Sequence, residues 1–130
     1  LQLDQPGIRY LGNVPFADVP YALAASDVLA IPYRRSPFMD AGASNKIAEA
    51  MACQRPIVAT RSPNLTANFP QQAQELEPYL AESSQPSSLA TVLAQQLLDR
   101  KLVAAPQNIY WSGITSTLEQ DLKRLNHDPA

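Results

Sequence analysis

At 130 residues the chain is one domain long, with room for a single sizeable core. Hydrophobic residues make up 45% and charged residues only 17%, the latter below the usual proportion of roughly a quarter, which excludes a disordered tail. A net charge of −2 and a pI near 5.2 exclude nucleic acid as the main partner, and the single cysteine, Cys53, excludes an internal disulfide and a cysteine-based zinc cluster.

In chain order, "IRYLG" (8 to 12) is a short strand-like run closed by Gly12. "ADVPYALAASD" follows as a helix, with Asp18 as N-cap and Pro20 in the first turn. "VLAIPY" (28 to 33) is continuously apolar, as expected of a strand covered on both faces. "RRSPFMDAGA" reads as a loop, and a helix then runs from about Ser44 to Cys53, with Cys53 packed in its apolar stretch. "PIVAT" (56 to 60) is a second continuous strand, and "YLAE" (79 to 82) is a weaker third. The stretch dense in Gln and Ser from 71 to 96, with Pro70, Pro78 and Pro86, reads as irregular surface connection. Ser87 is expected to cap a helix carrying Leu89, Val92, Leu93 and Leu97 on one face. The last helix sets Trp111, Ile114, Leu118, Leu122 and Leu125 at spacings of three and four, the clearest helical period in the chain.

Alternating strands and helices imply an α/β fold built from right-handed βαβ units around a parallel sheet. In such sheets ligands bind outside the carboxyl ends of the strands, so the loops after Gly12, Tyr33 and Thr60 are where a site belongs.

The loop and helix after "VLAIPY" hold the residues suited to chemistry. Gly42 and Ala43 are small enough for close backbone approach by a ligand. Ser44 suits a helix cap, and the unpaired N–H groups of residues 44 to 47, Asn45 among them, suit an anion. Lys46 stands in the first turn, where the macrodipole disfavours a cation. Either it bends into solvent or something anionic lies there; with Arg34 and Arg35 it would suit a diphosphate held without a metal. The alternative for the arginines is an ordinary solvated surface. Glu49, one turn beyond Lys46, is either an i,i+3 ion-pair partner or, on a helix whose other neighbours are apolar, a carboxylate that needs a partner such as the hydroxyls of a ribose.

These residues resemble a known family. "NKIAEAMACQRPIVAT" is similar to a helix and strand in the C-terminal, donor-binding domain of two-domain (B-fold) glycosyltransferases, and more narrowly to the retaining, family-4-like group, whose pattern runs approximately N-K-L-F-E-Y-M-A-x-G-x-P-V-V-A-T. Upstream, "IRYLGNVPFADVPYALAASDVLAIPY" is similar to that group's V-x-F-L-G-x-V, helix, A-D-V-x-V-x-P. Downstream, "PSSLATVLAQQLL" and the Trp111 helix match its closing helices, so the resemblance spans roughly 8 to 125.

The resemblance implies a Rossmann-like sheet with flanking helices, forming an incomplete C-terminal half of a B-fold enzyme. It implies transfer of a sugar, of the hexosyltransferase type, from a nucleoside-diphosphate sugar to a sugar or lipid-linked acceptor, with no metal or other cofactor. Glu49 would bind the donor ribose. Lys46 and the amides at Gly42, Ala43 and Ser44 would hold the diphosphate and sugar, and Gly12, Asn13 and Val14 would line the base pocket. The family's second Glu, eight residues before the first, is replaced by Ala41, with Asp40 beside it as a catalytic substitute or a plain loop residue. The Gly of M-A-x-G-x-P is Gln54, where the backbone turn prefers no side chain. If the strand order is 3-2-1-4-5-6, the chain holds strands 3 to 6. "IRYLG" then has no neighbour, and the acceptor domain lies elsewhere. The sheet is then completed by the rest of a longer enzyme or by another copy, and the chain alone is not expected to turn over.

A second reading is a non-catalytic binding or assembly subunit that keeps the fold. A third is an unrelated flavodoxin-like or receiver-like domain, against which stands the lack of acids at the early strand ends. No apolar run approaches the ~18 residues of a membrane span, and no signal peptide is visible, although a trimmed start would hide one. A cytoplasmic place is expected. Arg100-Lys101 and Lys123-Arg124 are solvated pairs or, alternatively, contacts to a membrane surface. Asn64-Leu65-Thr66 matches the glycosylation pattern and is discounted, Trp111 is read as core rather than a sugar platform, and His127 as part of a frayed end.

Overall fold

The structure, a computed structural model, describes residues 6–42 and 44–127. Its elements are α1 (Val19–Ala24), β1 (Leu29–Ile31), α2 (Pro37–Ala41), α3 (Asn45–Ala52), β2 (Ile57–Thr60), α4 (Pro63–Asn68), α5 (Pro70–Glu75), β3 (Leu80–Ala81), α6 (Pro86–Asp99) and α7 (Trp111–His127), with short 3-10 turns at Phe16–Asp18, Glu77–Tyr79 and Gln107–Ile109. The three strands form one parallel sheet in the order β1-β2-β3. Leu29, Ala30 and Ile31 pair with Ile57, Val58 and Ala59, and Ala59 and Thr60 pair with Leu80 and Ala81. This is the expected parallel α/β sheet, its strands side by side in the order in which the chain makes them.

β2 is buried at every position, and its unbroken apolar run follows from cover on both faces. Around it pack Ile47, Ala50 and Met51 of α3, Leu65 of α4, Phe69, Ala73 and Leu76. Full burial of one such aliphatic side chain contributes about 1.5–3 kcal/mol, so this central layer is where stability concentrates.

Several expectations are corrected. "VLAIPY" is not covered on both faces: only three residues are strand, and Ala30 is exposed while Ile31 beside it is buried, so the face to which Ala30 points is open. "IRYLG" is not a strand; Ile8, Tyr10 and Leu11 are exposed, and a strand needs a partner for its N–H and C=O groups. Asp18 does sit at the N-cap of α1, but its side chain makes no capping bond. "RRSPFMDAGA" contains a helical turn, α2, capped by Ser36 accepting from Met39 N and started by Pro37.

The stretch from 71 to 96, expected to be irregular, is mostly ordered, holding most of α5, β3 and most of α6. α4, which the sequence reading left unassigned, precedes it; α4 and α5 each carry a proline in the first turn. Leu65, Phe69, Ala73 and Leu76 hold helical spacing there, a period hidden by the surrounding polar residues. α6 begins at Pro86, one residue before the expected cap, so Ser87 lies inside it. Its inward stripe is Leu89, Val92, Leu93 and then Gln96, whereas Leu97 is 46% exposed. Seven residues make nearly two turns, so position 96 rather than 97 returns to the face begun at 89. Gln96 is fully buried with its amide satisfied: Nε2 donates to Ile57 O (2.9 Å) and Lys101 O (3.2 Å), and Oε1 accepts from Lys101 N (2.9 Å).

α3 ends in a Schellman arrangement. Arg55 N donates to Ala50 O (3.1 Å) and Gln54 N to Met51 O (3.0 Å), with Gln54 at φ +52°. The expected strain at Gln54 is present: a residue with a Cβ occupies a left-handed position that glycine takes freely. The last helix runs as its period requires, but Ile114, Leu118 and Leu122 are exposed along it. Trp111, Leu125 and His127 have side chains outside the described set. No helix among the described residues is long and apolar enough to cross a membrane.

Candidate functional site

The carboxyl ends of the three strands deliver Tyr33 and Arg34, Arg61, and Glu82 to one edge of the sheet. A cleft of about 320 Å³ opens there, lined among others by Tyr33, Arg34, Thr60, Glu82 and Leu89. Arg34, three residues beyond the end of β1, is exposed at its rim.

The start of α3 stands beside this edge. Ser44 caps the helix as expected, its buried Oγ accepting from Ile47 N at 3.3 Å, and it also donates to Tyr33 OH at 3.4 Å. This corrects one expectation: the Ile47 N–H is used by the cap and is not free for an anion. Lys46 is exposed, and its Nζ lies 5.8 Å from the centre of the Tyr33 ring. A cation over a tyrosine face is attracted by the ring quadrupole, worth about 0.5–1 kcal/mol at an exposed site. Tyr33, which sequence reasoning did not single out, thus joins the end of β1 to both Ser44 and Lys46. An aromatic residue just beyond the carboxyl end of a parallel strand was the signal available for it.

Glu49 is exposed, correcting the reading that the helix buries it; α3 buries only Ile47, Ala50 and Met51. Lys46 and Glu49 form no ion pair, and among the described residues Glu49's carboxylate has no hydrogen-bond partner. Among the described residues, then, neither this carboxylate nor the ammonium one turn before it has an ion-pair partner, and Lys46 meets only the Tyr33 ring. Asn45 is exposed and faces a different cleft, of about 300 Å³, shared with Ser44, Ala48, Asn68 and Phe69.

Asp40 is committed elsewhere: both carboxylate oxygens accept from Arg35 Nε, at 2.8 and 2.9 Å. Arg61, which sequence reasoning passed over, is held between Glu77 (Nη1 to Oε2, 2.7 Å) and Glu82 (Nε to Oε1, 3.0 Å). The hydrogen bond that Arg61 donates to Glu77 raises its pKa above the ordinary arginine value, with Glu82 adding to the effect. Of the cations at this edge, Arg34 and Lys46 are the ones without a carboxylate partner among the described residues.

Gly42 has φ −82° and ψ 168°, extended backbone that any residue adopts. A Cβ there would meet Phe38 O at 3.7 Å and Asn64 Nδ2 at 3.8 Å, ordinary contacts. Neither conformation nor packing demands a glycine. Ala43 lies outside the described residues. Gly12, at φ +68°, does use glycine's freedom, and a Cβ on it would meet nothing within 4 Å. Gly12 and Asn13 are exposed and Val14 is half-buried, so the described residues form no closed pocket around them. Among the described residues no group of three His, Cys, Asp or Glu side chains gathers as metal ligands do.

No curated protein and no solved structure matches the chain. A family model described as glycosyl transferases group 1 matches residues 1–99. With that span covering most of the sequence, the chain belongs to the group 1 glycosyltransferases.

Proposed function

We propose that this glycosyltransferase chain is the donor-binding portion of a retaining, family-4-like, hexosyltransferase-type enzyme, and that it takes a nucleoside-diphosphate sugar. The observation that carries the reading is Lys46 and Glu49 at the start of α3, beside the carboxyl edge of a parallel sheet, each without an ion-pair partner among the described residues. Lys46, the remaining free N–H groups of the helix start, and Arg34 supply positive charge for a diphosphate leaving group. Glu49, one turn along, supplies acceptors for the two ribose hydroxyls. The diphosphate and sugar are assigned to Gly42, Ala43, Ser44 and Asn45, and the base to Gly12, Asn13 and Val14. The sugar–phosphate C–O bond breaks as the acceptor hydroxyl oxygen forms the glycosidic bond, and the hydroxyl proton passes to the departing diphosphate oxygen. The charge left on the diphosphate is met by these cations, with no metal required.

The acceptor, a sugar or a lipid-linked one, binds through a domain outside this chain. Five exposed apolar residues at the front, Ile8, Tyr10, Leu11, Phe16 and Tyr21, support the view that further strands or a second copy complete the fold. We place the protein in the cytoplasm, peripheral to a membrane where the acceptor is lipid-linked. One observation favours the second reading, an assembly subunit that keeps the fold: Asp40, the residue available to replace the missing acid at Ala41, is tied to Arg35.

Titration of the chain with UDP, GDP, ADP and CMP, beside Glu49→Ala with folding followed by circular dichroism, separates the two. Saturable binding of one nucleotide that Glu49→Ala weakens supports the donor site. A folded chain that binds none of the four removes it.

A further inference from the structure

We propose that Asn64, assisted by Asn68, is a positioning residue of the donor site; this rests on the donor reading above. Asn64 lies in the first turn of α4 and is only 4% exposed. A buried amide costs free energy unless its N–H groups find acceptors. Its Nδ2 donates to Met39 O at 3.0 Å and also to Gly42 O. One turn later, Asn68 Nδ2 donates to the same Gly42 O at 3.3 Å and to Asn64 O at 2.8 Å. Two side-chain amides of α4 therefore hold the backbone carbonyls of Met39 in α2 and of Gly42 just after it.

Three features argue that this clamp serves a ligand rather than stability alone. Carbonyl oxygens repel phosphate, and with those of Met39 and Gly42 bound to α4, neither is free to swing toward an anion at the start of α3. Gly42 is glycine where neither its dihedrals nor its neighbours require one, which leaves a bare backbone face between the clamp and the helix start. And Asn64 Oδ1 is buried with no hydrogen-bond partner. Such an unpaired acceptor is a cost that an apolar side chain would avoid, but an apolar side chain could not hold the two carbonyls. The Asn64-Leu65-Thr66 pattern consequently marks a structural amide and not a glycan acceptor, since the nitrogen a glycan would use is engaged.

The test compares the whole chain with Asn64→Asp and Asn68→Ala, measuring calorimetric affinity for whichever of UDP, GDP or ADP the unaltered chain binds, from pH 5 to 8, beside thermal stability. Aspartate keeps the shape of asparagine but turns two donors into acceptors facing two carbonyls. When protonated it regains one donor. Relative to the unaltered chain at each pH, Asn64→Asp is expected to bind about ten- to hundredfold more weakly at pH 8, with the deficit narrowing toward pH 5. Asn68→Ala is expected to show a smaller deficit without that pH dependence. A folded Asn64→Asp variant that loses thermal stability yet binds with unaltered affinity at every pH overturns the proposal while leaving the donor reading intact. Should Asn64→Asp not fold, unchanged affinity of Asn68→Ala overturns it, and a deficit supports it. An unaltered chain that binds no nucleotide overturns the donor reading and this proposal with it, and is recognised without any variant.

Discussion

Gln54→Gly is expected to stabilise the protein. Gln54 stands at the left-handed position that closes α3, at φ +52°. For a residue with a Cβ that conformation costs about 1–2 kcal/mol. Glycine removes the cost but adds freedom to the unfolded chain, worth about 0.4–1 kcal/mol in the other direction. The Gln54 side chain is exposed and makes no hydrogen bond among the described residues, so its loss removes nothing else. The closing bonds, Arg55 N to Ala50 O and Gln54 N to Met51 O, are backbone bonds and survive the exchange. The net gain is therefore about 0.5–1 kcal/mol, or a rise in Tm of roughly 2–5 °C for a chain of this size. Urea unfolding followed by circular dichroism reads it as a higher midpoint at constant slope. Gln54→Asn should give part of the gain and Gln54→Ala none. Equal stability of the Gly and Ala variants, or a Gly variant weaker than the unaltered chain, would refute the argument from backbone strain.

Gly42→Ala should leave stability within about 0.5 kcal/mol, since the backbone is extended and the nearest neighbours leave room; a fall in nucleotide affinity at unchanged Tm would place a ligand against that backbone, and unchanged affinity would remove Gly42 from the site. Gln96→Leu should cost about 2–4 kcal/mol in urea unfolding, because it leaves Ile57 O, Lys101 O and Lys101 N without partners; a loss below about 1 kcal/mol would mean the amide is dispensable. Asp99 accepts from Gln95 Nε2 at 2.7 Å and from Tyr79 OH at 2.8 Å, and these bonds, Gln95's first, hold its carboxyl below the ordinary value. A folded-state pKa below the unfolded one contributes stability above the ordinary carboxylate range and loses it as pH falls through the folded value. Asp99→Asn should therefore be less stable than the unaltered chain near neutrality, with the gap closing in acid; a gap independent of pH would show that the carboxylate is not the cause.

Much of the fold could be read directly from residue patterns. The apolar runs at 28–33 and 56–60, the Ser44 cap and the strand–helix alternation predict a parallel α/β sheet, and the sheet forms with β2 at its centre. α4 and α5 escaped because their period is carried by four residues set among prolines, glutamines and asparagines. The inward face of α6 was misjudged by one residue because Leu97 looked the better core candidate than Gln96, and only packing shows that two backbone carbonyls wait there for an amide.

At the candidate site, residue type and spacing alone were enough to point to Lys46, Glu49, Ser44 and the glycine before them, because helix starts and strand ends are local features that a short stretch of chain specifies. Which of those side chains are available for a ligand was decided by tertiary structure. Asp40 is claimed by Arg35, Arg61 by Glu77 and Glu82, and the Ile47 N–H by Ser44, while Lys46 and Glu49 have no ion-pair partner among the described residues. Glu77 lies 16 residues from Arg61, and Asn64 lies 25 and 22 residues from the carbonyls it holds. Charge and hydrogen-bonding capacity belong to each residue type and are visible in the sequence. Their pairing depends on which distant segments the buried sheet brings within three ångströms, and that is set only when the core packs.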